Sequence, residues 1–265
     1  MSNDAPIGVF DSGIGGLTVV SAIRRELPSE SLLYLGDTAR VPYGTKSPDV
    51  VRRYALTCSR FLVTQGAKLV VVACNTASAH GLTAMQEQLA VPVVGVIEPG
   101  AELAAARSRR RRIGVIGTEG TVRSGSYQSA LRSLAPDATV TAQPCPLFVP
   151  LAEEGMRDHP ATRLIAEEYL LPLVGAGIDT LVLGCTHYPL LRDTIQRVVG
   201  PEIAIIDSAT AVAHTVRDVL ERRGLGATRR SRPDRFFATD AGERFGRVGT
   251  AFLGDTIGVV EHVDL

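Results

Sequence analysis

The chain has 265 residues, 45% of them hydrophobic, enough for one large core or two modest ones. Its 28 basic side chains are balanced by 28 acidic ones, so no net charge demands a nucleic acid or an anionic membrane as partner. The polar opening MSNDAP and the lack of any apolar run near the roughly 18 residues that span a bilayer point to a cytoplasmic protein, and four cysteines are too few for a disulfide framework.

Ile7 to Phe10 reads as a short buried strand that runs through DSGIGG, residues 11–16, into LTVVSAIRREL, whose apolar positions recur at helical spacing. Strand, glycine turn and helix present N–H groups to an anion. The stretch lacks GxGxxG spacing and a P-loop lysine, so Asp11 and Ser12 at the strand tip are read as site residues. After a strand over Leu32 to Leu35, GDTARVPYG (36–44) is too polar and too broken by Pro42 and Gly44 for regular structure; it reads as a loop over the same crevice, with Asp37 and Tyr43 as its functional groups. Ser47 is expected to cap a helix with Pro48 at its first position, running to about Gln65 with Cys58 as a core residue. LVVVACNTAS (69–78) is a buried run ending in Cys74 and a polar pair, Asn75 and Thr76. A strand over Val93 to Ile97 then meets a break at Glu98-Pro99-Gly100, where the chain is expected to cross to a second lobe.

Arg107 and Arg109 to Arg112 lack interleaved aromatics and read as a solvated helix end before a strand over Ile113 to Ile116. A loop and helix over TEGTVRSGSYQSALRSL lead to a strand near Thr139 to Ala142. PCPLFVPLAEEG (144–155) holds the place of GDTARVPYG; Cys145 reads as packing, Glu153 as a group on a loop over the crevice, and His159 as exposed loop. TLVLGCTHYPLL (180–191) repeats the strand-end thiol: Gly184 frees the backbone, then come Cys185, Thr186 and His187. A strand over Ile203 to Ile206 precedes an amphipathic helix with His214 partly buried, a solvated Arg-rich turn, a strand in RFFATD and a final helix in AGERFGRVGTAFLG.

Cys74 and Cys185 lie 111 residues apart, IGVFDSGIGG and IGVIGTEGT lie 106 apart, and VPVVGVIEP is echoed by EIAIIDSAT. Three matches in one order at nearly one offset indicate an internal duplication. The predicted fold is α/β: two similar doubly wound parallel-sheet lobes, residues 1–97 plus 208–265 and residues 98–207, with the active site in the cleft between them.

Two strand-end thiols in related lobes suit inversion of a carbon centre, which needs a base on one face of the tetrahedral carbon and an acid on the other. A free thiol has a pKa of about 8.5, so neighbours must make each thiolate available. The candidate assistants are His187 beside Cys185, Asp11 near Cys74, and Glu153 over the second half. A carboxylate beside a thiolate raises the thiol's pKa, so Asp11 and Glu153 are read as relay or orienting groups. Neither lysine, Lys46 nor Lys68, is placed for a Schiff base, so no pyridoxal cofactor is expected. A zinc site from Cys74, Cys185 and His187 lacks closely spaced ligand pairs, and no metal is expected. A non-catalytic binding protein for small anions is the alternative from outside enzymology.

DSGIGG, GDTARVPYG, ACNTAS and GCTHYPLL together resemble the glutamate racemase family over nearly the whole chain from Ile7. The resemblance implies a cofactor-independent isomerase that interconverts L- and D-glutamate and supplies D-glutamate for peptidoglycan and cell-wall biogenesis, with Cys74 and Cys185 as the catalytic pair. It also implies substrate contacts from Asp11, Ser12, Tyr43, Gly44, Asn75, Thr76, Thr186 and His187, with Asp37 and Glu153 as auxiliaries. A related two-cysteine racemase acting on aspartate or a hydantoin is the nearest rival. Some members of the family carry an N-terminal extension that receives an activator; six residues precede Ile7, and that regulation is not expected. The expected partner is the small-molecule substrate, with no nucleic acid and no membrane; a homodimer stays open.

Overall fold

In the computed structural model, residues 3–240 and 242–265 are described. The chain divides into two compact units, one running to Val96 and resuming at Ala209, the other spanning Ile97–Ser208.

In the first unit, β1 (Ile7–Asp11), β2 (Leu32–Gly36) and β3 (Leu69–Val72) are buried along their whole length. Continuous apolar runs are what a parallel sheet covered on both faces requires. With β4 (Val93–Gly95), β9 (Arg235–Ala238) and β10 (Val260–His262) they form one parallel sheet in the order β10-β9-β2-β1-β3-β4. The connecting helices are α1 (Leu17–Glu26), α2 (Pro48–Thr64) and α3 (Asn75–Gln88), joined later by α10 (Ser208–Arg223) and α11 (Gly242–Leu253). At the amino end of the sheet Lys68 is fully enclosed: its Nζ lies 2.7 Å from Glu30 Oε2 and donates to the carbonyls of Asn3 at 2.6 Å and Leu225 at 2.7 Å. Glu30 also accepts the Ala227 N–H at 2.8 Å, so the segment after α10 is pinned beside β3.

The second unit carries α4 (Ile97–Arg107), β5 (Arg112–Gly117), α5 (Glu119–Ser124), α6 (Ser126–Leu134), β6 (Thr139–Pro144), α7 (Phe148–Glu153), α8 (Pro160–Gly175), β7 (Thr180–Gly184), α9 (Arg192–Val199) and β8 (Ala204–Asp207). Its sheet is parallel in the order β6-β5-β7-β8, the same order as β2-β1-β3-β4. In each unit the order reverses beside the first strand, and such switch points at the carboxyl ends of strands are where α/β sheets hold ligands.

Several local expectations need correction. Glu98-Pro99-Gly100 is no break but the first turn of α4, where proline's missing N–H costs nothing. Ser47 stands at the N-cap of α2 in extended conformation, yet its side chain makes no capping bond. His159 is not plain loop: it caps α8, its Nδ1 accepting the Ala161 N–H at 3.1 Å. His214 is half exposed and lies 3.5 Å from Glu26. The stretch after β5 is two helices, divided by Gly125 at φ +68°. α11 is the final helix, as expected, but a short strand, β10, follows it. Among the described residues no helix is long and apolar enough to cross a membrane.

Candidate active site

At the carboxyl edge of the first sheet, register sets Asp11 beside Gly36 and Phe10 beside Val72. The residues that leave these three strands therefore emerge together. Asp11 is fully buried, and its Oδ2 accepts the Gly13 N–H at 3.0 Å, which turns DSGIGG tightly. Glycine is required at position 16, since a Cβ there would lie 2.5 Å from that of Asp11. Ser12 is half-buried beside it. Tyr34 donates to the Gly13 carbonyl at 2.9 Å and packs on Phe245 at 5.7 Å. Burial, with Asp11 and Cys74 nearby, pushes this phenol well above its ordinary range and keeps it a neutral donor.

Cys74 ends the β3 segment as the N-cap of α3, 5% exposed, its Sγ accepting the Ala77 N–H at 3.4 Å. Asn75 and Thr76 fill the first turn and are buried. A sulfur that receives a backbone N–H at a helix N-terminus is favoured as thiolate by the bond and by the helix dipole.

The 37–46 segment, expected as loop, contains two short 3₁₀ turns, Thr38–Arg40 and Tyr43–Thr45. Asp37 is fully buried beneath them. Its Oδ1 accepts from Arg40 Nε at 2.9 Å and Thr239 Oγ1 at 2.9 Å, and its Oδ2 accepts from the Tyr43 hydroxyl. Burial, with Cys58 and Asp37 close by, raises the Tyr43 phenol far above its ordinary range, so it stays protonated and donates. Tyr43 and Gly44 are buried. Cys58 sits under the same cluster, its thiol pushed up by burial and by Asp37.

In the second unit the corresponding edge is formed by Gly117, Pro144 and Gly184, which share one register. Cys185 follows β7 and is 7% exposed, with Thr186 and His187 buried next to it. Its Sγ lies 3.8 Å from His187 Nδ1, and His187 Nε2 lies 3.0 Å from Glu153 Oε1. An ionised carboxylate only accepts, so Nε2 carries the shared hydrogen, and this bond holds the ring with Nδ1 facing the sulfur. Glu153 does not sit on a loop: it closes α7, whose Phe148 packs edge-on against Tyr188 at 5.3 Å and Tyr169 at 5.4 Å. Tyr188 donates to the Cys145 carbonyl at 2.8 Å, which fastens the turn after Cys185 to the segment before α7. Cys145 itself is buried packing, its thiol raised by burial and by Cys185.

Asp11, Ser12, Asp37, Tyr43, Gly44, Cys74, Asn75 and Thr76 thus gather at one edge of the first sheet, and Glu153, Cys185, Thr186 and His187 at the matching edge of the second. Two polar groups at these edges escaped the sequence reading. Thr118 caps α5 through the Thr121 N–H at 3.2 Å and is the repeat partner of Ser12 at the 106-residue offset, so the duplication could have identified it. Thr239 had no such signal. Among the described residues no group of three or more His, Cys, Asp or Glu is disposed to hold a metal ion.

The family model for Asp/Glu/Hydantoin racemase matches residues 7–216. A glutamate racemase of Geobacter metallireducens is 53% identical over 98% of this chain and 96% of its own length. The crystal structure of glutamate racemase isoform RacE1 from Bacillus anthracis superposes with a TM-score of 0.95 at 42% identity, covering 98% of each chain. Glutamate racemase from Francisella tularensis, solved in complex with D-glutamate, superposes with a TM-score of 0.93 at 36% identity, over 99% of this chain and 98% of that one. Aspartate racemase of Picrophilus torridus shares the fold alone, with a TM-score of 0.56 at 18% identity.

Proposed function

The chain belongs to the Asp/Glu/hydantoin racemase family, and from that premise we propose that it is a cofactor-independent glutamate racemase working through two cysteines. Full-length kinship with glutamate racemases supports the substrate, and a thiol at the carboxyl edge of the third strand of both repeats supports the mechanism. In this scheme one sulfur serves each face of the substrate's α-carbon. The thiolate on one face takes the α-proton, negative charge passes into the α-carboxylate, and the thiol on the other face returns a proton with inversion. In the reverse direction the two exchange roles.

Each sulfur has its own assistance. Cys74 has the Ala77 N–H and the start of α3; Cys185 has His187, oriented by Glu153. Asp11 holds the DSGIGG turn through Gly13 and adds a carboxylate on the Cys74 side. Ser12, Asn75, Thr76 and Thr186, with the Tyr43–Gly44 turn, supply the polar contacts for glutamate, whose carboxylates are met by hydroxyls, an amide and backbone N–H groups. Asp37 serves through Tyr43 and Arg40. The product, D-glutamate, feeds peptidoglycan synthesis in the cytoplasm.

In deuterated water, both glutamate enantiomers are expected to acquire α-deuterium without added cofactor, and circular dichroism is expected to follow either one to the racemate while aspartate stays unchanged. Cys74→Ser and Cys185→Ser should each lower net racemisation by at least about 100-fold, the lower end of what a positioned acid or base supplies. Near-wild-type turnover in either variant rules out the two-base scheme, and preference for aspartate overturns the substrate.

A further inference from the structure

Thr239 lies in the segment after β9, beyond residue 216 where the racemase family match ends, and more than 50 residues past the last group assigned to the site. It is 8% exposed and makes two side-chain bonds at once. Its Oγ1 donates to Asp37 Oδ1 at 2.9 Å and accepts the Ala39 N–H at 2.9 Å. Around it the two segments clasp each other: Thr239 N donates to the Gly36 carbonyl at 3.2 Å, Thr38 Oγ1 donates to the Asp240 carbonyl at 2.6 Å, and Asp240 N donates to Thr38 Oγ1 at 2.8 Å. β9 pairs with β2 up to Gly36 and Ala238, so this clasp continues the sheet where regular pairing stops.

We infer that Thr239 is a positioning residue for the racemase reaction: it fixes the Asp37 carboxylate and the Thr38–Arg40 turn, and through them the Tyr43–Gly44 turn that meets substrate. This rests on the function proposed above. The Asp37 carboxylate is the junction. It is fully buried, and Thr239, Arg40 and Tyr43 are its side-chain donors, so removing one leaves the anion underbonded where water does not reach it. Losing the Thr239 hydroxyl also deprives the Ala39 N–H of its acceptor. Both losses fall on the segment that carries Tyr43, and neither touches the two sulfurs. Such a loss weakens binding of substrate and transition state alike, the pattern that raises KM and spares kcat.

The test is Thr239→Val, which keeps the shape and removes the hydroxyl, beside Thr239→Ser, which restores it. For T239V, KM for both glutamate enantiomers should rise about tenfold with kcat within about threefold of wild type, while T239S stays within about twofold. Amide hydrogen exchange should quicken in residues 37–46 and stay unchanged in α2 and β3. Wild-type KM together with wild-type exchange in T239V overturns the inference, as does a fall in kcat at constant KM. Should the wild-type protein not turn over glutamate, the proposed function fails, while exchange in residues 37–46 still decides whether Thr239 holds the segment. If T239V does not fold, Thr38→Val cuts the other half of the clasp and should quicken the same exchange; unchanged exchange there overturns the inference too.

Discussion

In the proposed mechanism the bond between His187 Nε2 and Glu153 Oε1, 3.0 Å long, sets how well Cys185 hands over its proton, and replacing Glu153 measures what that bond contributes. A hydrogen bond to a charged group is worth about 1.5–3 kcal/mol. The Glu153 side chain is 22% exposed, so solvent screening favours the lower half of that range, about 1.5–2 kcal/mol. At 1.36 kcal/mol per tenfold, Glu153→Ala should lower kcat/KM by about 10- to 30-fold. Glu153→Gln retains a neutral acceptor of about half the strength, so its loss should be about three- to fivefold. Because the enantiomers have equal free energy in water, the equilibrium constant of racemisation is unity, and kcat/KM must fall by the same factor from either side. The assay is the initial change in ellipticity starting from pure L- and from pure D-glutamate. The reasoning is refuted if Glu153→Ala keeps more than half of wild-type kcat/KM, or if Gln is as damaging as Ala.

Two further expectations concern stability. Burial raises the thiols of Cys58 and Cys145 and the phenols of Tyr34, Tyr43, Tyr127 and Tyr188 above their ordinary values. Each group keeps its proton in the folded chain at a pH where the unfolded chain has released it. Its contribution is therefore complete below the unfolded pKa, about 8.5 for a thiol and 10 for a phenol, and is lost as pH rises toward the folded value. The urea midpoint should fall steadily between pH 8 and pH 10.5 and more steeply above about pH 10, where the phenols join; a flat or rising midpoint contradicts this assignment. Lys68→Met strands the buried Glu30 carboxylate and should cost about 3–5 kcal/mol in denaturant unfolding, most of it regained when Glu30→Leu is added; a loss under about 1 kcal/mol for the single variant would refute the buried Lys68–Glu30 pairing.

The central strands could be read directly because both faces are covered, which turns them into unbroken apolar runs such as LVVV or TLVLG. The alternation of these strands with helices carried the fold class, and the repeated thiol carried the proposed chemistry. What failed were signals with two physical meanings. Pro99 and Gly100 mark turns in most contexts, but a proline in a first helical turn loses no bond, so the start of α4 looked like its opposite. β10 has three residues, none buried, and lacks the apolar signature because it lies on the sheet edge. Glu153 was singled out from its neighbours, but its helix was hidden by prolines at positions 144, 146 and 150. Thr239 meets Asp37 across 202 residues of sequence, and no local pattern encodes a hydrogen bond of that span.

The first unit is interrupted and the second is continuous, and this difference bears on how the chain matures during translation. Residues 97–208 contain every strand of their own sheet and can fold as soon as they clear the ribosome. β2, by contrast, waits with an open edge for β9, which is synthesised some 200 residues later, and Lys68 waits 157 residues for the Leu225 carbonyl. A nascent chain stalled before Arg235 would present that bare edge to other chains, so the half of the enzyme that begins first is the half that finishes last.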